Sequence, residues 1–351
     1  MTRFAMGFLW LMLVSAPALA GAEGDPAALY ERGAYRRAAA AAAQRTDAGS
    51  LAVLARVRAL EGRYDEAVAL AERAVKAAPG SADAHYALSE AHGLAARSAG
   101  VLKSLGAGKA FKREAEAALA IDPRHVESML ALLEFHRMAP GIVGGDKKKR
   151  PALLDQLTAA DPVRGWGMRA QDALRDRDTA RAEQCWRKAV EADPASARAK
   201  VALAAWLAQG QRDLPLAEKL AAEAAELEPW RIASWQLLAG IQAFGKRWAE
   251  LDATLARSEV AMEGRRDAWY AAGRQLVSDK VEPARAERYL RHYLAAEPEP
   301  AAPAPAAARW RLGLALEQQA RKAEAIAELQ TAVKLDPKFD PAKKDLKRLK
   351  G

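Results

Sequence analysis

The 351-residue chain contains no asparagine and one cysteine, Cys185. One thiol excludes an internal disulfide framework, so packing alone must hold the fold, and Cys185 reads as a small core residue. Valine and isoleucine are sparse, and no stretch alternates apolar with polar residues, so nothing signals a sheet. After the first twenty residues no apolar run is long enough to span a bilayer, so apart from an uncleaved N-terminal anchor no membrane-spanning helix is expected. No Ser/His/Asp, Cys/His or paired-carboxylate arrangement stands out, which argues against an enzyme. The five histidines lack the three or four close ligands of a metal site, and no cofactor motif is present.

What is abundant is alanine, leucine, arginine and glutamate, the residues that favour helix. The formal charge is +9 and is spread along the chain. That excess favours acidic partners or an anionic surface only weakly. The N-terminus reads MTRFAMGFLWLMLVSAPALA. Arg3 supplies the positive region, Phe4 to Val14 an apolar stretch, Pro17 a break, and Ala18-Leu19-Ala20 a cleavage pattern. Residues 1–20 are therefore expected to be a Sec-type signal peptide cut after Ala20, with Ala22 as the alternative. The expected fate is export, which argues against a nucleic-acid partner.

One phrase recurs. A helix ends, an acidic or small residue follows, then proline: VKAAP, LAIDP, LTAADP, VEADP, AELEP, LAAEP and VKLDP, ending at Pro79, Pro123, Pro162, Pro194, Pro229, Pro298 and Pro337. The intervals are 44, 39, 32, 35, 69 and 39 residues, and the 69 splits into two units with a hidden boundary near Glu263. The period is close to 34. In the last unit Gly313, Ala325, Ala332 and Pro337 fall at positions 8, 20, 27 and 32; in an early unit Ala55, Ala67, Ala74 and Pro79 do. Small residues at these places let two helix backbones approach, and proline stops the second helix.

On these residues the chain resembles tetratricopeptide repeat (TPR) proteins, over about residues 27–350. The resemblance implies an all-α fold, a right-handed α-α superhelix of helix-turn-helix repeats. We count eight units, a partial first hairpin (ALYERGAYRRAAAAAAQRT) and a polar C-terminal cap (DPAKKDLKRLKG). The unit at 234–263 lacks its proline, and the unit ending at Pro194 lacks a clean small residue at position 8. The expected layout is an array over 27–297, a Pro/Ala-rich extended spacer over 298–308, read first as a tolerated surface insertion and alternatively as a hinge for the final unit, and a last unit with its cap over 309–351. Through AARSAGVLKSLGAGKAFKREAEAALAIDP and APGIVGGDKKKR, the chain also resembles a group of exported bacterial TPR proteins with little assigned function.

Two adjacent units are long. We place about ten extra residues in a loop near 97–108 and about five at 138–144. Equivalent loops of a solenoid stack along one edge, so the two should be neighbours. Their edge would be basic: Lys103, Lys109, Lys112, Arg113, Lys147, Lys148, Lys149 and Arg150. The stretch GIVGGDKKKR invites comparison with a phosphate loop. It has no Ser or Thr after the lysine and sits between helices, so it reads as a turn with Asp146 as N-cap. A helix start beside lysines can still attract an anion.

His92 and His136 fall at position 11, a packing position, and most of the eight tryptophans after the signal fall at core-facing ones. In TPR proteins the first helix of each unit lines a concave groove. By that resemblance, the groove residues are Tyr86, Glu90, Leu130, Glu134, Arg137, Gln236, Tyr270, Arg274, Trp310 and Glu317. Aromatic and charged residues there suit a protein or peptide partner. The asparagine–lysine carboxylate clamp of one TPR sub-class is absent in its usual form. The leading expectation is a periplasmic scaffold. The alternative is a small-ligand or anion-binding accessory protein, for example a transporter-associated one. The sequence sets no oligomeric state.

Overall fold

The computed structural model describes residues 24–98 and 100–351, and the expected signal peptide lies outside the described residues. Among these, nineteen α-helices and no strand occur. Helices α1 (Pro26–Glu31) and α2 (Tyr35–Ala43) form a short first hairpin. Eight full hairpins follow. They are α3 (Ala48–Leu60) with α4 (Tyr64–Ala77), α5 (Ala82–Ser98) with α6 (Val101–Ile121), and α7 (Val126–Met138) with α8 (Arg150–Ala160). Next come α9 (Pro162–Arg175) with α10 (Thr179–Ala192), and α11 (Ala197–Ala208) with α12 (Leu214–Leu227). Then α13 (Ile232–Phe244) pairs with α14 (Trp248–Ala261), α15 (Asp267–Asp279) with α16 (Pro283–Leu294), and α17 (Pro305–Gln318) with α18 (Lys322–Leu335). Helix α19 (Asp340–Lys350) covers the end.

The recurring acid before proline has a local purpose. Asp122, Asp193 and Asp336 each accept a hydrogen bond from the backbone N–H two residues on, at 2.9, 3.0 and 2.9 Å. Their side chains thereby fix the turn between units. Asp161 both ends α8 and caps α9, accepting from Arg164 N at 2.9 Å. The hidden boundary near Glu263 is a turn in which Glu263 and Gly264 take φ of 54° and 89°.

Within each hairpin the helices meet through alanine and glycine. Ala55, Ala67, Ala74, Ala325 and Ala332 are all fully buried. A Cβ on Gly313 would stand 3.0 Å from Leu329 Cγ and 3.2 Å from the Ala325 carbonyl oxygen, so a side chain there would push α17 off α18. Between hairpins the first helices stack on one another, α3 on α5, α11 on α13, α13 on α15 and α15 on α17. Buried residues accordingly fall into successive patches along the chain, the longest running from α12 to α19. That is how units too small to bury their own apolar faces become stable. Cys185 is one of these core residues, and burial pushes its thiol pKa up.

Two expectations need correction. Among the described residues near 97–108 the extra ones are not a loop: 97 and 98 end α5, and residues 101–108 form the first two turns of α6. Lys-Ser-Leu-Gly-Ala-Gly-Lys-Ala is compatible with helix because Gly106 faces open space and Gly108 sits against Val143 at ordinary contact distance. The spacer is shorter than 298–308, since α17 already begins at Pro305. It is also tied down and so does not act as a free hinge. Tyr293 donates its hydroxyl hydrogen to the Pro303 carbonyl, and Arg36 Nη2 donates to the Pro298 carbonyl at 2.9 Å.

That last contact spans the molecule. The first hairpin meets the turns on either side of the α15–α16 hairpin. Arg36 N donates to Glu299 at 3.0 Å, Arg37 pairs with Glu263, and Arg265 Nη1 donates to the Arg32 carbonyl at 3.3 Å. The Arg32 guanidinium lies 5.5 Å from the Trp230 ring centre. The solenoid therefore bends through one turn and closes on itself through a largely polar seam.

Candidate binding surfaces

The first helices stack from α1 to α5 and from α9 to α17, with α7 joined to its neighbours through Tyr86–His125 and Arg164–Glu127, and the expected groove residues on them separate into three groups. The first is a built cluster. Tyr86 is half-buried, 5.5 Å between ring centres from His125, and Glu90 accepts from Arg56 Nε at 2.7 Å. Arg56 also lies over the rings of Tyr30 and Tyr86, at 4.2 and 5.6 Å. Burial pushes both tyrosine pKa values well above the usual range. Burial, the largest single effect, would lower that of Arg56, but Glu90 together with Tyr30 and Tyr86 outweighs it and the pKa is raised. Sequence reasoning missed Arg56 and Tyr30. Arg56 directly follows Ala55, the position-8 residue, so the register already placed it.

The second group is exposed or partly so. Glu134 is exposed and pairs with Arg137 one turn on, a pair that lowers the Glu134 pKa. Leu130 and Gln236 are half-buried and Arg274 is exposed. The third group does not face the groove freely. Tyr270 is buried in the core, 5.2 Å between ring centres from Tyr293. The Trp310 indole N–H donates to Asp345 at 2.7 Å, and Glu317 accepts from Arg348 Nη2 at 2.7 Å. Both partners belong to α19, so the cap covers the last unit's groove positions.

Register missed a further residue, Arg198, in the first turn of α11. It is exposed and makes no ion pair among the described residues. Its neighbours are differently placed: Arg164 pairs with Glu127, and Arg231 with Glu228. Partial desolvation first, then the like charges of Arg164 and Arg231, lower the Arg198 pKa. An anionic group on a partner would relieve that repulsion.

The basic edge is assembled as expected at one point. Val143 is buried beside Gly108, so the 138–144 loop docks on α6. Gly144 takes φ of 93°, a left-handed conformation that suits glycine, and ends a short 3-10 turn at Gly141–Val143. A Cβ on Gly145 would overlap the Ala139 carbonyl oxygen at 1.9 Å. The Asp146 N–H donates to Nδ1 of buried His136 at 3.1 Å, and the Asp146 carboxylate accepts from Lys148 N at 2.9 Å. Asp146 thus caps the Lys147–Lys149 turn, and the α-helix itself begins at Arg150. Burial, then Lys149 and Lys112, lower the His136 pKa and keep the ring an acceptor.

Loop and helix enclose an open depression of about 420 Å³, lined by Lys109, Lys112, Arg113, Glu116 and residues 141–144. Arg150 does not belong to this edge. It bonds both carboxylate oxygens of Asp172, at 2.8 and 2.7 Å, and the Leu133 carbonyl, clamping α8 to α7 and α9. Lys103 lies in the first turn of α6, and its side chain is outside the described part.

The paired helices, the small residues between them and the stacked first helices meet their counterparts in known proteins. Tetratricopeptide repeat family models match residues 48–91 and 306–339, which are α3 to mid-α5 and α17 with α18. The chain carries tetratricopeptide repeats. Its fold is similar to yeast Tom70, at 12% identity over 94% of this chain and 88% of that one, with a TM-score of 0.52. It is also similar to human IFIT1, solved as a dimer with PPP-AAAA, at 13% identity over 92% and 80%, TM-score 0.51. No curated protein matches this TPR chain by sequence. Among the described residues no helix is long and apolar enough to cross a membrane, and no group of three potential ligands could hold a metal ion.

Proposed function

We propose that this TPR protein is a periplasmic scaffold that holds a protein or peptide partner against the stacked faces of its first helices. The observation that carries the reading is Arg198. An exposed arginine without an ion pair, between two like charges, supports an anionic side chain or carboxylate as part of what is held. The Tyr30–Arg56–Tyr86–Glu90 cluster adds an aromatic and charged platform on α1, α3 and α5. The N-terminal signal pattern supports the address.

Pulldown from a periplasmic extract, comparing wild type with Arg198→Glu and Arg274→Glu combined, tests this. Both side chains are exposed, so melting should not change, and partner recovery should fall about tenfold or more, the range expected for reversing charges at an interface. Undiminished recovery would count against the groove.

A second reading, a small-ligand or anion-binding accessory protein, for example transporter-associated, is favoured by the basic depression at Lys109 and Lys112. Thermal shift with millimolar anionic metabolites separates the two. A shift abolished by Lys109→Ala supports the accessory role, and none removes it.

A further inference from the structure

The glycine loop leaves two aliphatic side chains in solvent. Met138, at the end of α7, is 66% exposed, and Ile142, in the middle of the 3-10 turn, is 72% exposed. The loop that carries them is well anchored: Val143 is buried on α6, Gly145 lies against Ala139, and His136 holds the Asp146 amide. A firm loop that presents isoleucine to water needs a reason other than packing.

The charges around it supply one. Lys112 is matched by Glu116 at 2.7 Å and Arg113 by Glu114 at 2.7 Å. Lys109, Lys147, Lys148 and Lys149 are exposed and make no ion pair among the described residues. Lys109 and Ile142 line the same depression, and Lys149 and Lys112 both act on His136. Four unmatched ammonium groups and two aliphatic side chains therefore share one edge.

An acidic polypeptide would satisfy the lysines, but it would need the aliphatic residues to line a groove. Instead Met138 lies outside the depression and Ile142, at its wall, keeps most of its surface in solvent, because the depression is wide open rather than an enclosing groove. An anionic bilayer satisfies both at once: lipid phosphates meet the lysines, and the boundary between headgroups and acyl chains takes up the exposed aliphatic groups. We propose that this edge docks the protein on an anionic phospholipid surface, with Ile142 and Met138 in the interfacial layer and Lys109 and Lys147 to Lys149 against the phosphates. The inference is independent of the groove and of any partner held there.

Co-sedimentation of the purified protein with vesicles tests it. Vesicles of phosphatidylcholine with phosphatidylglycerol should retain the protein, pure phosphatidylcholine should not, and salt should weaken the binding. Each lysine near such a surface is worth on the order of fivefold in affinity, so replacing Lys147, Lys148 and Lys149 with alanine should cost on the order of 100-fold. Ile142→Asp should weaken binding with melting unchanged. In an Ile142→Cys variant the native Cys185 is buried, so an environment-sensitive thiol dye reports the loop, and its emission should shift to the blue on anionic vesicles. No retention on phosphatidylglycerol vesicles overturns the proposal. Displacement by millimolar inorganic phosphate as effectively as by competing vesicles also overturns it, in favour of a free-anion site. Equal capture by polyglutamate with no effect of Ile142→Asp overturns it in favour of an acidic protein.

Discussion

Single residues set where the helices can meet and how the loop is held. Gly313 and Gly240 are both helical glycines with opposite surroundings. A Cβ on Gly313 meets Leu329 and the Ala325 carbonyl, while one on Gly240 meets nothing within 4 Å. Gly240→Ala should therefore stabilise by about 0.5–1 kcal/mol, because glycine loses more chain entropy in a helix. Gly313→Val should cost about 1–3 kcal/mol through overpacking. Thermal unfolding of the two variants checks the contrast, and equal shifts would contradict the packing argument.

His136 gives the loop a pH dependence. Its folded pKa lies below the unfolded value of about 6.5. Above that value the neutral ring is present in both states and the contribution is complete. As pH falls below about 6.5 the unfolded state binds the proton first, so stability is lost until the folded pKa is passed. Protonation also removes the acceptor for the Asp146 amide. Hydrogen exchange across residues 139–149, corrected for intrinsic rates, should show falling protection between pH 7.5 and 5.5. Constant protection would mean the bond does not hold the loop.

At the scale of elements, the cap matters most. Helix α19 buries Ala342 and Leu349 against the last hairpin, and Phe339 just before it packs 5.6 Å from Trp310 between ring centres. Its charged face remains in water, with Lys347, Arg348 and Lys350 in the last turn. Deleting residues 339–351 should expose the end of the longest core patch. Lower melting and concentration-dependent light scattering are expected; a truncated chain that stays monodisperse and melts as before would show α19 to be dispensable. The same element explains why Trp310 and Glu317 were misread: register places them on the groove face, but only the fold shows a following helix lying over it.

For the whole molecule, the closing seam combines exposed arginine–glutamate pairs and backbone acceptors with a smaller apolar part at Leu29, Ala34, Trp230 and Met262. Such pairs are worth roughly 0–1 kcal/mol each and are screened by salt. Arg36→Glu combined with Arg37→Glu should open the turn without unfolding the hairpins. Small-angle scattering should give a larger radius of gyration with unchanged helical circular dichroism, and high salt should move the wild type the same way. An unchanged radius would show that curvature comes from hairpin stacking alone.

Much of the architecture was legible in residue spacing. The proline phrases marked the unit ends, the small residues at positions 8, 20 and 27 marked the helix contacts, and the hidden boundary near Glu263 followed from the doubled interval. These are local signals: capping, helix termination and close backbone approach act within a few turns, so the sequence alone determined them. Three features depended on the tertiary structure. The extra residues of the second unit became longer helices because α6 found a partner in the glycine loop. Arg150 became a clamp because Asp172 came within reach across α9. Arg32, Arg36 and Arg37 met residues more than two hundred positions away because small stacking rotations between hairpins add up to a full turn. No local pattern records that sum, and it alone decides which faces close and which remain open to a partner.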